Sequence, residues 1–296
     1  MQNTLLTVTI MARKIKQAFL DELLTGRLNT ILKYVREDDT LNLELRGKKI
    51  TIYYRGGAIL SIHQDTYSFE SLSEKYHKDN TFIIPSLDNF EYYIQKAKHV
   101  IDVYITTKIN HLGEKDIQQQ IARENNYSPN SLDTDYFIID TEYQDLGRFD
   151  IVALRWDSTS SARKLLKFIP TITIFEVKQG YNSISNKSGI EKHINDFNEF
   201  ISKRDIDSFK MDMINVFNQK RSLGLIKGMD KYKEVNAVNP DIEFVFLLVN
   251  YKHDSTQLKK ALQNIEDCKF IYSNPMGYGL YARNITSKDE FMNRFF

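Results

Sequence analysis

The sequence predicts an α/β fold in which helices flank a mixed central sheet, joined to an N-terminal α+β region. Three observations favour this class. After residue 109, helical periods and apolar runs follow one another as helix, three strands, helix, strand, helix, strand. The run at 244–250 is almost continuously apolar, as in a strand buried on both faces. Before residue 109, one helical period precedes several short alternating stretches separated by glycine-containing turns.

The N-terminal region is predicted to span residues 1–108. Helical spacing covers 13–36, and strand-like alternation follows at 41–45, 50–54 and 58–63. Arg46-Gly47 and Gly56-Gly57 supply the turns. A short strand at 67–69 and a helix at about 87–108 complete the region. It contains no chemical constellation, so we expect it to provide specificity, a partner surface or a homodimer contact.

The second region is predicted to span residues 109–296 as one domain. A helix at 114–124 begins after Gly113 with acids in its first turn. The remaining predicted elements follow in chain order: strands at 136–140 and 148–154 as a hairpin, a strand at 172–178, a helix at 188–203, a strand at 244–250, a helix at 255–265 capped by Asp254 or Ser255, and a strand at 270–272.

Composition sets limits on the function classes. The 296 residues include 40 basic and 39 acidic side chains, a formal charge of +1, so any nucleic-acid affinity must come from local patches. A single cysteine, Cys268, excludes a disulfide framework and a multi-cysteine zinc site. The first residues lack a basic leader, and no apolar run approaches the roughly 18 residues of a membrane span. We therefore expect a cytoplasmic protein without a membrane anchor.

Charged side chains interrupt two of the apolar strands. Asp150 lies in the second strand of the region, and Glu176 and Lys178 lie in the third. Because side chains alternate along a strand, Glu176 and Lys178 share a face, roughly 7 Å apart. Fully buried Asp, Glu and Lys are rare unless they are paired or bind a metal. A divalent cation together with a phosphate would satisfy all three groups.

This pattern resembles the PD-(D/E)XK nuclease superfamily over about residues 110–200. The resemblance implies a restriction-endonuclease-like core in which Asp150 and Glu176 ligate magnesium, Lys178 orients or activates the attacking water, and Glu114 assists. Phe149 stands at the position for which the family is named after proline. The helix after the third strand lacks the Gln-x-x-x-Tyr signature of one exonuclease branch, which leaves the subfamily open.

The resemblance predicts a metal-dependent nuclease that hydrolyses phosphodiester bonds, of DNA rather than RNA. Magnesium, or manganese in its place, takes hard oxygen ligands and keeps several waters, so Asp150, Glu176 and the Val177 carbonyl would suffice. Lys178 would hold the water and offset negative charge. Glu142 and Gln179 are auxiliary candidates. The alternative is a non-catalytic nucleic-acid or protein-interaction module on the same fold, which need not bind metal.

Each candidate also has a purely structural interpretation. Glu176 and Lys178 could form a weak ion pair at an exposed strand end, Asp150 could cap a hairpin, and Glu114 could be a solvated acid at a helix start. A structural role is favoured for His193. Substrate phosphates are expected to meet local basic clusters: Arg163-Lys164 with Lys167, Lys187 with Lys192, Lys203-Arg204, and Lys220-Arg221.

Overall fold

A computed structural model describes residues 12–64, 66–70, 87–107, 113–164, 168–180, 183–184, 189–232, 234–263, 265 and 268–296. These residues form a four-stranded antiparallel sheet and a six-stranded mixed sheet, both accompanied by helices. The predicted combination of a mixed central sheet, flanking helices and an N-terminal antiparallel sheet is therefore confirmed. Within the described ranges, no helix is long and apolar enough to cross a membrane.

The described residues of the N-terminal region form three α-helices and four strands. In chain order they are α1 (Gln17–Leu24), α2 (Asn29–Glu37), β1 (Leu41–Leu45), β2 (Lys49–Tyr54), β3 (Gly57–His63), β4 (Tyr67–Ser68) and α3 (Phe90–Thr107). The strands pair antiparallel in the order β1-β2-β3-β4. Gly47 and Gly56 adopt φ values of 68° and 76° in the two tight turns, a backbone region that favours glycine. Both predicted turns are confirmed.

The helical period at 13–36 is two helices rather than one. The amides of Thr25 and Gly26 both donate to the carbonyl of Asp21, which closes the last turn of α1. The side chain of Asn29 then donates to the carbonyls of Leu23 and Leu24, at 3.1 and 2.5 Å, where α2 begins. These hydrogen bonds interrupt the helical backbone hydrogen bonding between α1 and α2, although the apolar period continues across the break.

The second region supplies the larger sheet and its helices. In chain order the elements are α4 (Glu114–Asn126), β5 (Tyr136–Gln144), β6 (Arg148–Arg155), α5 (Ser160–Lys164), β7 (Thr171–Gln179), α6 (Ile190–Lys203), α7 (Ile206–Ser222), β8 (Glu243–Val249), α8 (Thr256–Gln263), β9 (Lys269–Ser273), β10 (Thr286–Ser287) and α9 (Lys288–Phe295). The sheet order is β10-β9-β8-β7-β6-β5. Strands β7, β8 and β9 run parallel, and the other pairs are antiparallel. Helices α5, α7 and α9 and the short strand β10 are additions to the predicted elements.

Helices cover both faces of the mixed sheet. Ile117 and Ile121 of α4 pack with Phe175 and Val177 on one face. Ile172 and Ile174 belong to the cluster on the other face, together with Phe200 of α6 and Phe217 of α7. Because alternate residues of β7 share a face, Glu176 and Lys178 continue the row of Ile172 and Ile174. The charged residues of β7 therefore lie on the α6 side of the sheet.

The N-terminal region and the mixed sheet share one hydrophobic cluster. It joins Leu43 of β1 and Ile94 of α3 to Phe137 of β5 and Phe217 of α7. Burial of these side chains against one another ties the two regions together. Residue 108, where the sequence predicts the division into 1–108 and 109–296, lies outside the described residues, and the division stays a prediction.

Candidate active site

Asp150, Glu176 and Lys178 meet where β6 and β7 begin to separate. Ile151 pairs with Phe175, so Asp150 and Glu176 are the next residues along the two antiparallel strands. The backbone N–H of Val177 donates to Asp150 Oδ2 at 2.8 Å, in place of a strand partner. Lys178 Nζ donates to Glu176 Oε1 at 2.8 Å. One backbone segment thus connects all three groups.

These side chains are buried. Only 6% of Asp150 and 3% each of Glu176 and Lys178 is exposed. This excludes a weak ion pair at an exposed strand end. A capping role for Asp150 is excluded as well, because its carboxylate contacts β7 rather than the hairpin turn. Burying three ionisable groups is costly unless they serve as partners for one another or for a ligand.

The two carboxylates differ in their readiness to ionise. Burial, reinforced by the nearby Glu176 and Glu114 carboxylates, raises the pKa of Asp150 well above its usual value. Burial also opposes ionisation of Glu176. However, the hydrogen bond with His193 and the charge of Lys178 hold the pKa of Glu176 below its usual value. Glu176 therefore ionises more readily than Asp150.

Glu114 lies at the first position of α4, directly after its N-cap Gly113. Burial raises the pKa of Glu114, with Lys178 opposing the shift and Glu176 and Glu142 adding to it. Its strongest charge partners are thus members of the site. The interpretation of Glu114 as a solvated acid at a helix start does not fit this environment.

His193 also belongs to the site. Its Nδ1 lies 3.0 Å from Glu176 Oε1, the same oxygen that Lys178 contacts. The sequence favours a structural role for this histidine because it carries no metal-ligand spacing. In the sequence, only its position on the helix after the third strand indicates that His193 could reach the site. The contact with Glu176 itself depends on how α6 packs against the sheet.

The auxiliary candidates lie at the margin of the site. Glu142 adopts a left-handed backbone conformation, φ 54°, and its carboxylate contacts Lys115 at 3.1 Å and Arg148 at 2.8 Å. Although burial opposes its ionisation, these two cations hold the pKa of Glu142 below its usual value. Gln179 is the last residue of β7, and its carbonyl accepts a hydrogen bond from Ser183 at 3.0 Å. Neither side chain forms a hydrogen bond or an ion pair with Asp150, Glu176 or Lys178.

The residues present suit a hard divalent cation. Glu176 Oε2 is buried and accepts no hydrogen bond, which leaves an acceptor open. The N–H and C=O of one strand residue point to the same side, so the Val177 carbonyl lies on the Asp150 side of β7. Among the described residues, no group of three or more His, Cys, Asp and Glu side chains is assembled that could hold a metal. Two carboxylates and a carbonyl are nevertheless a donor set that Mg²⁺ accepts.

Three of the expected phosphate-binding cations are structural instead. Arg163 is buried and donates to the carbonyls of Thr134 and Trp156. Arg204 forms a buried ion pair with Asp145, and Lys220 is likewise buried. The prediction that these three cations meet substrate phosphates is wrong, because each is buried and bonded to protein groups: carbonyl oxygens for Arg163, and carboxylates for Arg204 and Lys220. For the exposed Lys192 and Lys203 it stays a prediction. Lys167, Lys187 and the side chain of Lys164 lie outside the described residues.

Three comparisons with known proteins bear on identity. The chain matches no protein-family model. No curated protein and no solved structure matches it either. The site geometry therefore carries the functional argument.

Proposed function

We propose that this protein is a metal-dependent nuclease of the PD-(D/E)XK type, which hydrolyses phosphodiester bonds of DNA rather than RNA on a restriction-endonuclease-like core. The observation that carries the proposal is the contact set of Asp150, Glu176 and Lys178. Two acids and a lysine from adjacent strands are buried together and joined through Val177 and Glu176 Oε1. Glu176 Oε2 is buried without a hydrogen-bond partner, which leaves an acceptor open for a ligand.

The roles follow from the contacts. Asp150, Glu176 and the Val177 carbonyl would hold Mg²⁺ or Mn²⁺, which when bound supplies charge neutralisation at phosphate oxygens and a more acidic water. Lys178 is held by Glu176, so its ammonium is fixed where a water or phosphate oxygen would enter. His193 orients Glu176 through the shared oxygen. Glu114 adds a third acid, whose charge interacts with those of Lys178 and Glu176.

Cleavage of labelled nucleic acid tests the proposal. Single- and double-stranded DNA and RNA are incubated with Mg²⁺, Mn²⁺ or EDTA, with the wild type, Asp150→Ala and Lys178→Ala. We expect DNA cleavage that needs the metal and falls at least 100-fold in each variant, a loss typical of removing a metal ligand or a charge-stabilising group.

Lys269→Ala is the matched control. The sequence contains a second acid-x-Lys triplet, Asp267-Cys268-Lys269. Its Lys269 is exposed and pairs with Glu243 at the start of β8. It should cut as the wild type does. Absence of cleavage of all four substrates, together with absence of Mg²⁺ or Mn²⁺ binding by calorimetry, would contradict the nuclease and favour a non-catalytic module.

A further inference from the structure

A basic cavity of about 480 Å³ lies beside the candidate active site, between the β1–β2 hairpin and the mixed sheet. Its charged lining comes from both regions of the chain: Arg13, Arg46, Lys49, Lys115, Arg148 and Glu142. The volume falls within the range of about 300–1,000 Å³ typical of ligand sites. The formal charge of the whole protein is +1, so this concentration of cations is local.

The five cations of the lining carry more positive charge than their ion-pair partners neutralise. Within the described part of the chain, the ion-pair partners of the five cations are three carboxylates: Asp140 for Arg13 and Arg46, Glu142 for Lys115 and Arg148, and Glu70 for Lys49. Asp140, which the sequence places on the same strand face as Glu142, is thereby assigned a structural role. Because two carboxylates each serve two cations, the cavity keeps positive charge that an anion would neutralise.

The cavity has a buried floor and an accessible rim. The side chains of Arg13 and Arg46 are mostly buried over Asp140, and Arg46 also donates to the carbonyl of Thr141 at 2.7 Å. The side chains of Lys49, Lys115 and Arg148 are exposed by 34%, 57% and 63%. The rim cations can therefore reorient toward a ligand, whereas the floor supplies fixed charge.

Two rim residues connect the cavity to the candidate site along the chain. Lys115 follows Glu114, and Arg148 precedes Asp150 by two residues. A chain of phosphates that enters the site would therefore pass the rim cations.

We infer that this cavity binds the backbone of a nucleic-acid strand next to the scissile phosphate, with Lys49 of the N-terminal region and Lys115 and Arg148 of the mixed-sheet region contacting its phosphates. The inference rests on the proposed function and deepens it. It assigns the N-terminal region a role in holding substrate. Tyr53, whose ring lies 5.7 Å from the Arg46 guanidinium carbon, offers an aromatic wall for the adjoining sugar or base.

The test measures binding separately from cleavage. Fluorescence anisotropy in EDTA follows a labelled DNA oligonucleotide, single-stranded and duplex, between 50 and 200 mM salt, concentrations at which phosphate contacts dominate affinity. The cavity variant is Lys49→Gln/Lys115→Gln/Arg148→Gln. The matched control is Lys33→Gln/Lys231→Gln/Lys260→Gln, three exposed lysines outside the cavity lining. Both remove three positive charges, and circular dichroism with thermal unfolding checks their folding.

We expect the cavity variant to lose at least tenfold in affinity and its salt slope to fall by about 0.7–0.9 for each phosphate contact removed. The control should bind as the wild type does. Lys49→Gln alone, which leaves both partners of Glu142 in place, should weaken binding measurably, and Lys49→Arg should restore it. This single variant keeps the test decisive if the triple variant misfolds.

The outcomes separate the two proposals. Loss of binding in the cavity variant supports the inference even when the wild type cuts nothing. Equal binding by wild type, cavity variant and control overturns it, even when the wild type cuts DNA. A wild type that neither binds nor cuts DNA or RNA overturns both.

Discussion

One buried environment shifts the pKa values of Asp150 and Glu176 in opposite directions. Glu176 has two donors on Oε1, Lys178 Nζ and His193 Nδ1, and these outweigh the cost of its burial. Asp150 has one backbone donor and two carboxylate neighbours, so burial dominates and its pKa rises. Such a pair combines a carboxyl group that favours its ionised form with one whose pKa is raised.

Replacing Asp150 by Asn should stabilise the protein at neutral pH. A carboxyl whose pKa is raised by folding binds more protons in the folded state, so its contribution to the free energy of unfolding falls as pH rises above the ordinary range of Asp. Asn cannot ionise, and we expect a gain of about 1–2 kcal/mol at pH 8 that shrinks toward pH 4. Urea unfolding across this range measures the difference. A gain that does not change with pH would contradict the assignment.

Metal binding should release a proton from the site. If Asp150 keeps a proton at neutral pH, a divalent cation must displace it, so Mg²⁺ affinity should rise with pH until Asp150 is ionised in the free protein. Calorimetry in two buffers of different ionisation enthalpy counts the protons released. Asp150→Asn is the control, since it has no proton to lose there. Binding without proton release between pH 6 and 8 would show that Asp150 is already ionised.

At the scale of elements, a fully buried ion pair joins β1 to α7. Lys220 Nζ donates to Glu44 Oε2 at 2.8 Å, and both side chains are almost completely inaccessible. Asn42 donates to the other oxygen, Oε1, at 2.9 Å. With each oxygen of Glu44 satisfied, the pair contributes to the docking of the N-terminal sheet against α7, provided that both members are present.

Removing one member of this pair should be costly. Lys220→Met leaves an unpaired buried carboxylate, and we expect a loss of about 3–5 kcal/mol in the free energy of unfolding. The double variant Glu44→Gln/Lys220→Met removes both charges and should recover most of that loss. Denaturant unfolding of both single variants and the double variant completes the cycle. Additive losses would show that the two side chains do not interact.

The sequence predicts the strands better than the contacts between elements. β1, β6, β7 and β8 agree with prediction to within one residue at each end, because strong alternation or continuous apolar runs mark them. α7 is absent from the predicted elements although its buried residues Phe209, Met213, Val216 and Phe217 recur at the i, i+4, i+7 and i+8 spacing of one helix face. The buried Lys220 lies on the same face, and its charge interrupts the apolar stripe.

In the candidate site, too, the local pattern is predicted and the contacts between elements are not. Asp150, Glu176 and Lys178 are local signals, since acids within apolar strands are visible in the sequence itself. The pairing of His193 with Glu176 depends on helix packing. The pairing of Lys220 with Glu44 spans 176 positions, so no local pattern distinguishes this lysine from a surface cation.

At the scale of the whole molecule, one apolar cluster extends across both regions. Leu43, Ile52 and Ile94 of the N-terminal region pack in the same cluster as Phe137 and Phe217. The basic cavity is built at the same junction, with Arg46 and Lys49 on one side and Lys115 and Arg148 on the other. Core packing therefore also fixes the distance between the rim cations and the candidate site.

A chain that begins at Gly113 should not fold as the intact protein does. It would expose the side of the cluster that β1, β2 and α3 cover, and it would leave Lys220 and Asp140 buried or half-buried without their partners Glu44, Arg13 and Arg46. Exposed apolar surface and unpaired charge both oppose folding. Calorimetry should show one cooperative transition for residues 1–296 and none for residues 113–296, which we expect to aggregate. A cooperative transition in the shorter chain would instead make the mixed sheet an independent domain, with the N-terminal sheet docked upon it.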